Sequence, residues 1–221
     1  MEIVLTQSKC CLQIRYQKLS VTLPHGINSH CQVSFSSNQF IVIGGWNGSQ
    51  RAETYFIYVE TNQLTNGPSL KTARNDHGCG ELEVDGNSYI IVSGGYRNDA
   101  GGLRSTEILD KDNVGQGWQK GKTLKFFLNI CLLDILHYIS GDNFDLPVSK
   151  TFFQMVSSPD KTTLYAIGGY DSGSSRDIYQ SDCNGAIGTC RWIKSNTELK
   201  YGRYNFVAMS IPNALADQIC N

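Results

Sequence analysis

Phe40-Ile41-Val42-Ile43-Gly44-Gly45-Trp46 is a short apolar run closed by two glycines and an aromatic residue. The phrase returns as Ile90-Ile91-Val92-Ser93-Gly94-Gly95-Tyr96 and again as Leu164-Tyr165-Ala166-Ile167-Gly168-Gly169-Tyr170. Gly44 and Gly94 lie 50 residues apart. Self-similarity at a fixed period of about 20–50 residues marks a repeat architecture before any single residue is interpreted. One Gly-Gly reads as an ordinary turn, but three with matching flanks read as one structural unit written three times. Glycine there allows close backbone approach and positive φ.

Working outward, each copy has the same neighbours. Upstream lies a short strand: Cys31-Gln32-Val33-Ser34-Phe35, Gly80-Glu81-Leu82-Glu83-Val84 and Phe153-Gln154-Met155-Val156. Polar turns follow it: Ser36-Ser37-Asn38-Gln39, Asp85-Gly86-Asn87-Ser88 and Ser158-Pro159-Asp160-Lys161. Such residues supply hairpin backbone angles. Downstream stand a third strand (Thr54–Tyr58, Ser105–Leu109, Asp177–Tyr179) and a more polar fourth around Gln63, Trp118 and Trp192. Short strands without a 3.6-residue period predict an all-β fold built from four-stranded units.

The three Gly-Gly-aromatic motifs, together with Trp118 and Trp192 near the unit ends, resemble the kelch-repeat family. Ala73-Arg74-Asn75-Asp76-His77 also fits that family's Arg-then-His entry, and Gly202-Arg203-Tyr204 fits in part. Ile27-Asn28-Ser29-His30 keeps only the His, and Ser149-Lys150-Thr151 reads as keeping neither. The resemblance runs from about Leu23 onward and implies a partial β-propeller of kelch blades. The blades are expected at about 28–70, 74–124 and 147–199, with a partial blade at 200–221. Residues 1–22 contain a segment that reads as the last strand of a preceding blade.

The second and third diglycines are 74 residues apart. The excess falls on residues 125–146, where Phe126-Phe127-Leu128 and Leu132-Leu133 crowd together. The strongly apolar core of that stretch is too short for a membrane span, which takes about 20 residues, and Asp134 and His137 interrupt it. It reads either as a genuine insertion or as intronic sequence retained in the reading frame. Three blades and two fragments do not close a ring of four to eight. An open ring implies a longer protein or self-association, because bare strand edges invite pairing.

Composition narrows the partners. Nineteen basic and 20 acidic residues give a net charge of −1, with no basic block for nucleic acid or anionic membrane. Eight cysteines lack metal-ligand spacing. Cys183 and Cys190 bracket a polar hairpin and are expected to pair, while Cys31 and Cys79 either pair or sit free in the core. Asn47-Gly48-Ser49 is a glycosylation sequon. These features point to a secreted protein. Glu2, Gln7 and Lys9 interrupt the only apolar run in residues 1–12, so no signal peptide is read there and a cytoplasmic location stays open.

No nucleophile elbow, phosphate loop or metal cluster is found, and neither a catalytic group nor a cofactor is expected. The expected function is a non-enzymatic binding module that presents loops to a protein, a peptide or an extracellular glycan. Its candidate contact residues are Trp46, Asn47, Arg74, Tyr96, Arg97, Tyr170, Asp171 and Arg203, a mixture of aromatic and arginine side chains typical of interaction surfaces. The competing reading packs the aromatics between blades and spends the arginines on neighbouring backbone. The resemblance leaves two other readings open: a truncated relative of the galactose-oxidase propellers, and the kelch part of a ubiquitin-ligase adaptor.

Overall fold

The computed structural model describes residues 18–121 and 144–210, together with the strands β1 (Leu5–Ser8) and β2 (Cys11–Ile14), which pair antiparallel. The remaining architecture is three antiparallel sheets of four strands. The first blade runs β3 (Cys31–Ser36), β4 (Gln39–Trp46), β5 (Gln50–Tyr58), β6 (Gln63–Asn66). The second begins with β7 (Gly78–Val84) and β8 (Asn87–Ser93). A small hairpin of β9 (Tyr96–Arg97) and β10 (Gly101–Gly102) interrupts it before β11 (Thr106–Asp110) and β12 (Gln119–Lys120). The third runs β13 (Gln154–Ser157), β14 (Leu164–Ile167), β15 (Asp177–Asp182), β16 (Arg191–Glu198). Within each sheet the strands lie side by side in chain order. The chain is therefore all-β, with successive blades consistent with a partial propeller.

The first strands of neighbouring blades touch: β7 packs on β3 on one side and on β13 on the other. The second blade is thus buried on both faces. Alternation along β8 sends Ile90 and Val92 into a cluster with Ile41, Ile43, Phe56 and Trp118 of the first interface. Ile91 points the other way, into a cluster with Phe153, Met155, Leu164 and Trp192.

The diglycines tie the blades together. Gly45, Gly95 and Gly169 each donate their amide to a carbonyl of the next blade's entry segment: Arg74 at 2.9 Å, Lys150 at 2.8 Å and Arg203 at 2.8 Å. The preceding glycines hold φ near +60° (Gly44 58°, Gly94 65°, Gly168 62°). A Cβ on any of them would lie 2.7–2.8 Å from the same carbonyl oxygen. Both space and backbone angle exclude larger residues.

These bonds define an entry segment that recurs four times: Ile27–His30, Arg74–His77, Lys150–Phe153 and Arg203–Phe206. In each, the third residue takes left-handed angles: Ser29 φ 51°, Asp76 55°, Phe152 54° and Asn205 52°. Their amides link successive entries, Asp76 to the Ser29 carbonyl (3.0 Å), Phe152 to Asp76 (3.0 Å) and Asn205 to Phe152 (3.1 Å). The third entry therefore keeps its cation, as Lys150, and replaces the histidine with Phe153. Read by residue type, the sequence missed both.

Two disulfides are present. Cys183–Cys190 closes the connection between β15 and β16, as expected. Cys31–Cys79 joins β3 to β7 across the first blade interface. Cys31 stands opposite Ile43, one residue before its diglycine, and Cys79 opposite Val92, two before. That one-residue stagger points the two thiols to opposite sheet faces, so they meet between blades.

The boundary of the expected insertion moves. Phe144, Asp145 and Leu146 belong to the fold. Phe144 stacks on Trp192 with ring centroids 5.4 Å apart, the Asp145 carboxylate accepts the Thr106 amide at 2.8 Å, and Leu146 is fully buried. Gly121 donates to Thr106 and Leu146 to Arg104, as Gly67 donates to Thr54 and Leu70 to Ala52 one blade earlier. Phe144-Asp145-Leu146 therefore occupies the place of Pro68-Ser69-Leu70, and the extra segment is 122–143, which lies outside the described residues.

Candidate functional site

At one end of each blade, the residue after the diglycine is fixed by its backbone. The Trp46 amide donates to the Asn28 carbonyl, Tyr96 to Asn75 and Tyr170 to Thr151, each at 2.8 Å, and each entry residue returns the bond at 3.0–3.3 Å. The peptide units are locked while the rings point outward: Tyr96 is 38 % exposed and Tyr170 46 %, with Trp46 half-buried. Tyr204 of the fourth entry meets Tyr170 edge-on with centroids 5.8 Å apart and approaches Phe152 at 6.3 Å. Locked backbones carrying exposed aromatic rings lose little entropy when a ligand covers them.

Polar loop residues surround the rings. Asn47 is exposed in the β4–β5 turn, where its amide donates to the Ser49 carbonyl at 3.0 Å, so the sequon is open to solvent. Gln50 reaches Asn75 at 3.2 Å and Asn98 at 3.0 Å, bridging the first blade to the second. Arg97 pairs with Asp99 at 2.6 Å on the β9–β10 hairpin. Asp171 leans toward the Lys150 ammonium, 3.6 Å away. Burial pushes the Asp76 carboxyl above its ordinary range, against a hydrogen bond from Ser29.

Arg74 is corrected. It is not a contact residue but a fully buried strut. Its guanidinium donates to the Gly94 and Ser105 carbonyls at 2.8 Å and to the Glu107 carboxylate at 2.9 Å. Glu107 in turn accepts the amides of Lys71 (2.7 Å) and Thr72 (2.9 Å), which pins the linker between blades one and two. Burial draws the Arg74 pKa down, and the Glu107 and Asp145 charges oppose it. Every donor is satisfied within the fold, as a buried charge requires. Lys150 performs the same task one blade on, donating to the Gly168 carbonyl at 2.8 Å and to the Ser175 hydroxyl at 2.9 Å. Burial lowers its pKa too, opposed by Asp171 and Asp177.

Arg203 differs from both. It is exposed, and its guanidinium lies 6.0 Å from the Phe206 ring. The structure thus brings Tyr170 and Tyr204 together, leaves Tyr96 exposed on the second blade and Asn47 and Arg97 at the loop tips, and withdraws Arg74. Tyr204 and Phe152 were missed by sequence reading. Their signal is position: each stands one or two residues after an entry cation.

Among the described residues, no three His, Cys, Asp or Glu side chains converge as a metal site would require. Nor does any described helix have the length and apolar character to cross a membrane. A scan of protein-family models finds no match to this chain, and no curated protein matches it significantly.

Proposed function

We propose that this chain is a non-catalytic, kelch-type binding module whose loop end takes a protein or peptide ligand. The observation that carries the reading is the recurrence of a backbone-locked aromatic residue after each diglycine, exposed at Tyr96 and Tyr170 and half-buried at Trp46. Rigid aromatic anchors beside adaptable polar groups favour recognition. Asn47, Arg97, Asp171 and Arg203 form the polar surround, and no cofactor takes part. A glycan ligand is the nearest competitor, since aromatic rings also stack on sugars. The two disulfides and the open Asn47 sequon support a secreted location, because such bridges persist in oxidising compartments.

Panning a random-peptide library against the purified protein, beside a glycan array, tests the assignment. Wild type is expected to select a convergent peptide motif. A Trp46→Ala/Tyr96→Ala/Tyr170→Ala variant with unchanged thermal midpoint should lose it. Peptides that bind wild type and variant equally overturn the loop-face reading, and selective glycan binding replaces the ligand class.

A further inference from the structure

The blade junctions repeat, so a contact made at only one of them is not demanded by the fold. Opposite the aromatic of each loop stands Gln50 for Trp46, Gly102 for Tyr96 and Ser174 for Tyr170. The second residue of the entry that follows each blade is Asn75, Thr151 or Tyr204. All three junctions share the bond from the diglycine amide to the entry carbonyl. Only at the first do these two side chains bond, Gln50 Nε2 donating to Asn75 Oδ1 at 3.2 Å. At the second, glycine has no side chain to offer, and the Thr151 hydroxyl donates instead to the Tyr170 carbonyl at 3.3 Å. At the third, no side-chain hydrogen bond joins Ser174 to Tyr204 among the described residues.

The bond at the first junction belongs to a relay with a fixed direction. The Asp76 carboxylate accepts from Asn75 Nδ2, and an ionised carboxylate can only accept. That bond turns Asn75 Oδ1 toward Gln50, which must answer with its amide nitrogen. Gln50 Nε2 donates its other hydrogen to Asn98 Oδ1 at 3.0 Å. Two groups are left over: the acceptor Gln50 Oε1 and the donor Asn98 Nδ2. Neither makes a hydrogen bond among the described residues, and neither is sealed from solvent. The relay is tied to two of the locked aromatics, for Gln50 faces Trp46 across the turn and Asn75 exchanges backbone bonds with Tyr96.

We infer that Gln50 and Asn98 are specificity-determining residues of the loop end, and that together they read an uncharged amide of the ligand. Its carbonyl accepts from Asn98 Nδ2 and its N–H donates to Gln50 Oε1. A carboxylate in that place would face the Gln50 oxygen, and a cation would face the Asn98 nitrogen. Each leaves one group unmatched, whereas an amide satisfies both. Two parts of a peptide present a carbonyl and an N–H side by side: an Asn or Gln side chain, and the main chain of one extended residue. This assignment deepens the loop-end function proposed above and rests on it.

The probe is the same random-peptide library, panned in parallel against the wild-type 221-residue protein, Asn98→Asp and Gln50→Ala. Asp at 98 keeps the oxygen that accepts from Gln50 and turns the free donor into an acceptor. Wild type is expected to select peptides in which one amide is indispensable. Both variants should bind those peptides at least about tenfold more weakly, as loss of a matched polar partner does, and keep the wild-type thermal midpoint. Asn98→Asp should select Lys or Arg peptides of its own. Replacing a selected Asn or Gln by Asp or Glu abolishes binding if the side chain is the amide that is read. N-methylation of a single residue abolishes it if the main chain is. Wild-type affinity in either variant overturns the inference while loss of binding in the triple aromatic variant still upholds the loop end. A peptide that tolerates every amide change overturns it as well, and so does a midpoint lowered in both variants, which would make the relay scaffolding. Failure to select any convergent peptide, or selective binding of glycans alone, overturns the inference together with the peptide function beneath it.

Discussion

At the scale of single residues, the repeat works as an internal control. His77, Phe153 and Phe206 occupy one position in successive entries, each packed beneath the preceding blade's diglycine. His77 is enclosed and neither ring nitrogen reaches hydrogen-bonding geometry. Burial brings its pKa from 6.5 down to about 3. The Arg74 and His30 charges push the same way, and the nearby Ile43 carbonyl opposes them weakly. Because the folded pKa lies below the unfolded one, the neutral ring's contribution is complete above pH 6.5 and drains away as pH falls toward 3. By about pH 4.5 the loss is about 3 kcal/mol. His77→Phe places in the second blade the residue that the third already uses at this site. Urea unfolding of the two proteins at neutral pH and at about pH 4.5 should show the variant gaining on wild type by that amount in acid. His30, also lowered by burial, is present in both and cancels. Parallel pH profiles would mean that His77 is not buried neutral.

At the scale of elements, the strands and turns were legible because periodicity and turn chemistry are local. Asp85-Gly86, for example, takes the two left-handed angles that a tight hairpin demands, 51° and 74°. What joins the blades was less legible. The entry position is defined by a backbone carbonyl that meets a diglycine 29–55 residues away, so Arg and Lys both serve there. Matching residue types found Arg74 and passed over Lys150. The cysteines show the same limit, since only strand register reveals that Cys31 and Cys79 face each other. The two bridges differ in what they constrain. Cys31–Cys79 spans 48 residues and couples two blades, whereas Cys183–Cys190 spans 7 within one hairpin. Loop-closure entropy assigns them about 4 and about 2.5 kcal/mol. Paired Ser substitutions at Cys31 and Cys79 should therefore lower the thermal midpoint more than the same change at Cys183 and Cys190. The reverse order in calorimetry would show that strain or residual unfolded structure, not chain entropy, sets their worth.

At the scale of the whole molecule, the surplus segment sits at a point where the fold has no need of it. The Phe144 amide donates to the Gly121 carbonyl at 2.9 Å, so the chain returns to the place it left. A direct peptide bond would bring that nitrogen and oxygen to about 2.3 Å, a shift of well under a residue. Gly67-Pro68 makes the same junction covalently one blade earlier, and a tryptophan packs at each junction, though in different ways. The Trp118 indole donates to the Pro68 carbonyl at 2.9 Å, and Trp192 stacks on Phe144. From sequence, Gly121-Lys122-Thr123-Leu124 imitates Gly67-Pro68-Ser69-Leu70 and drew the boundary three residues late. Only the bonds of Phe144 and Leu146 decide between the two leucines. Deleting residues 122–143 should thus leave three intact blades and both disulfides. Closing a 22-residue excursion entropically costs about 3 kcal/mol, so the shortened protein is expected to melt no lower than the full chain, with an unchanged far-ultraviolet β spectrum. A melt lowered by several degrees would show that residues 122–143 contribute contacts of their own to the second and third blades. An insoluble product would show that Gly121 and Phe144 are held in place by the segment rather than by the sheets beside them.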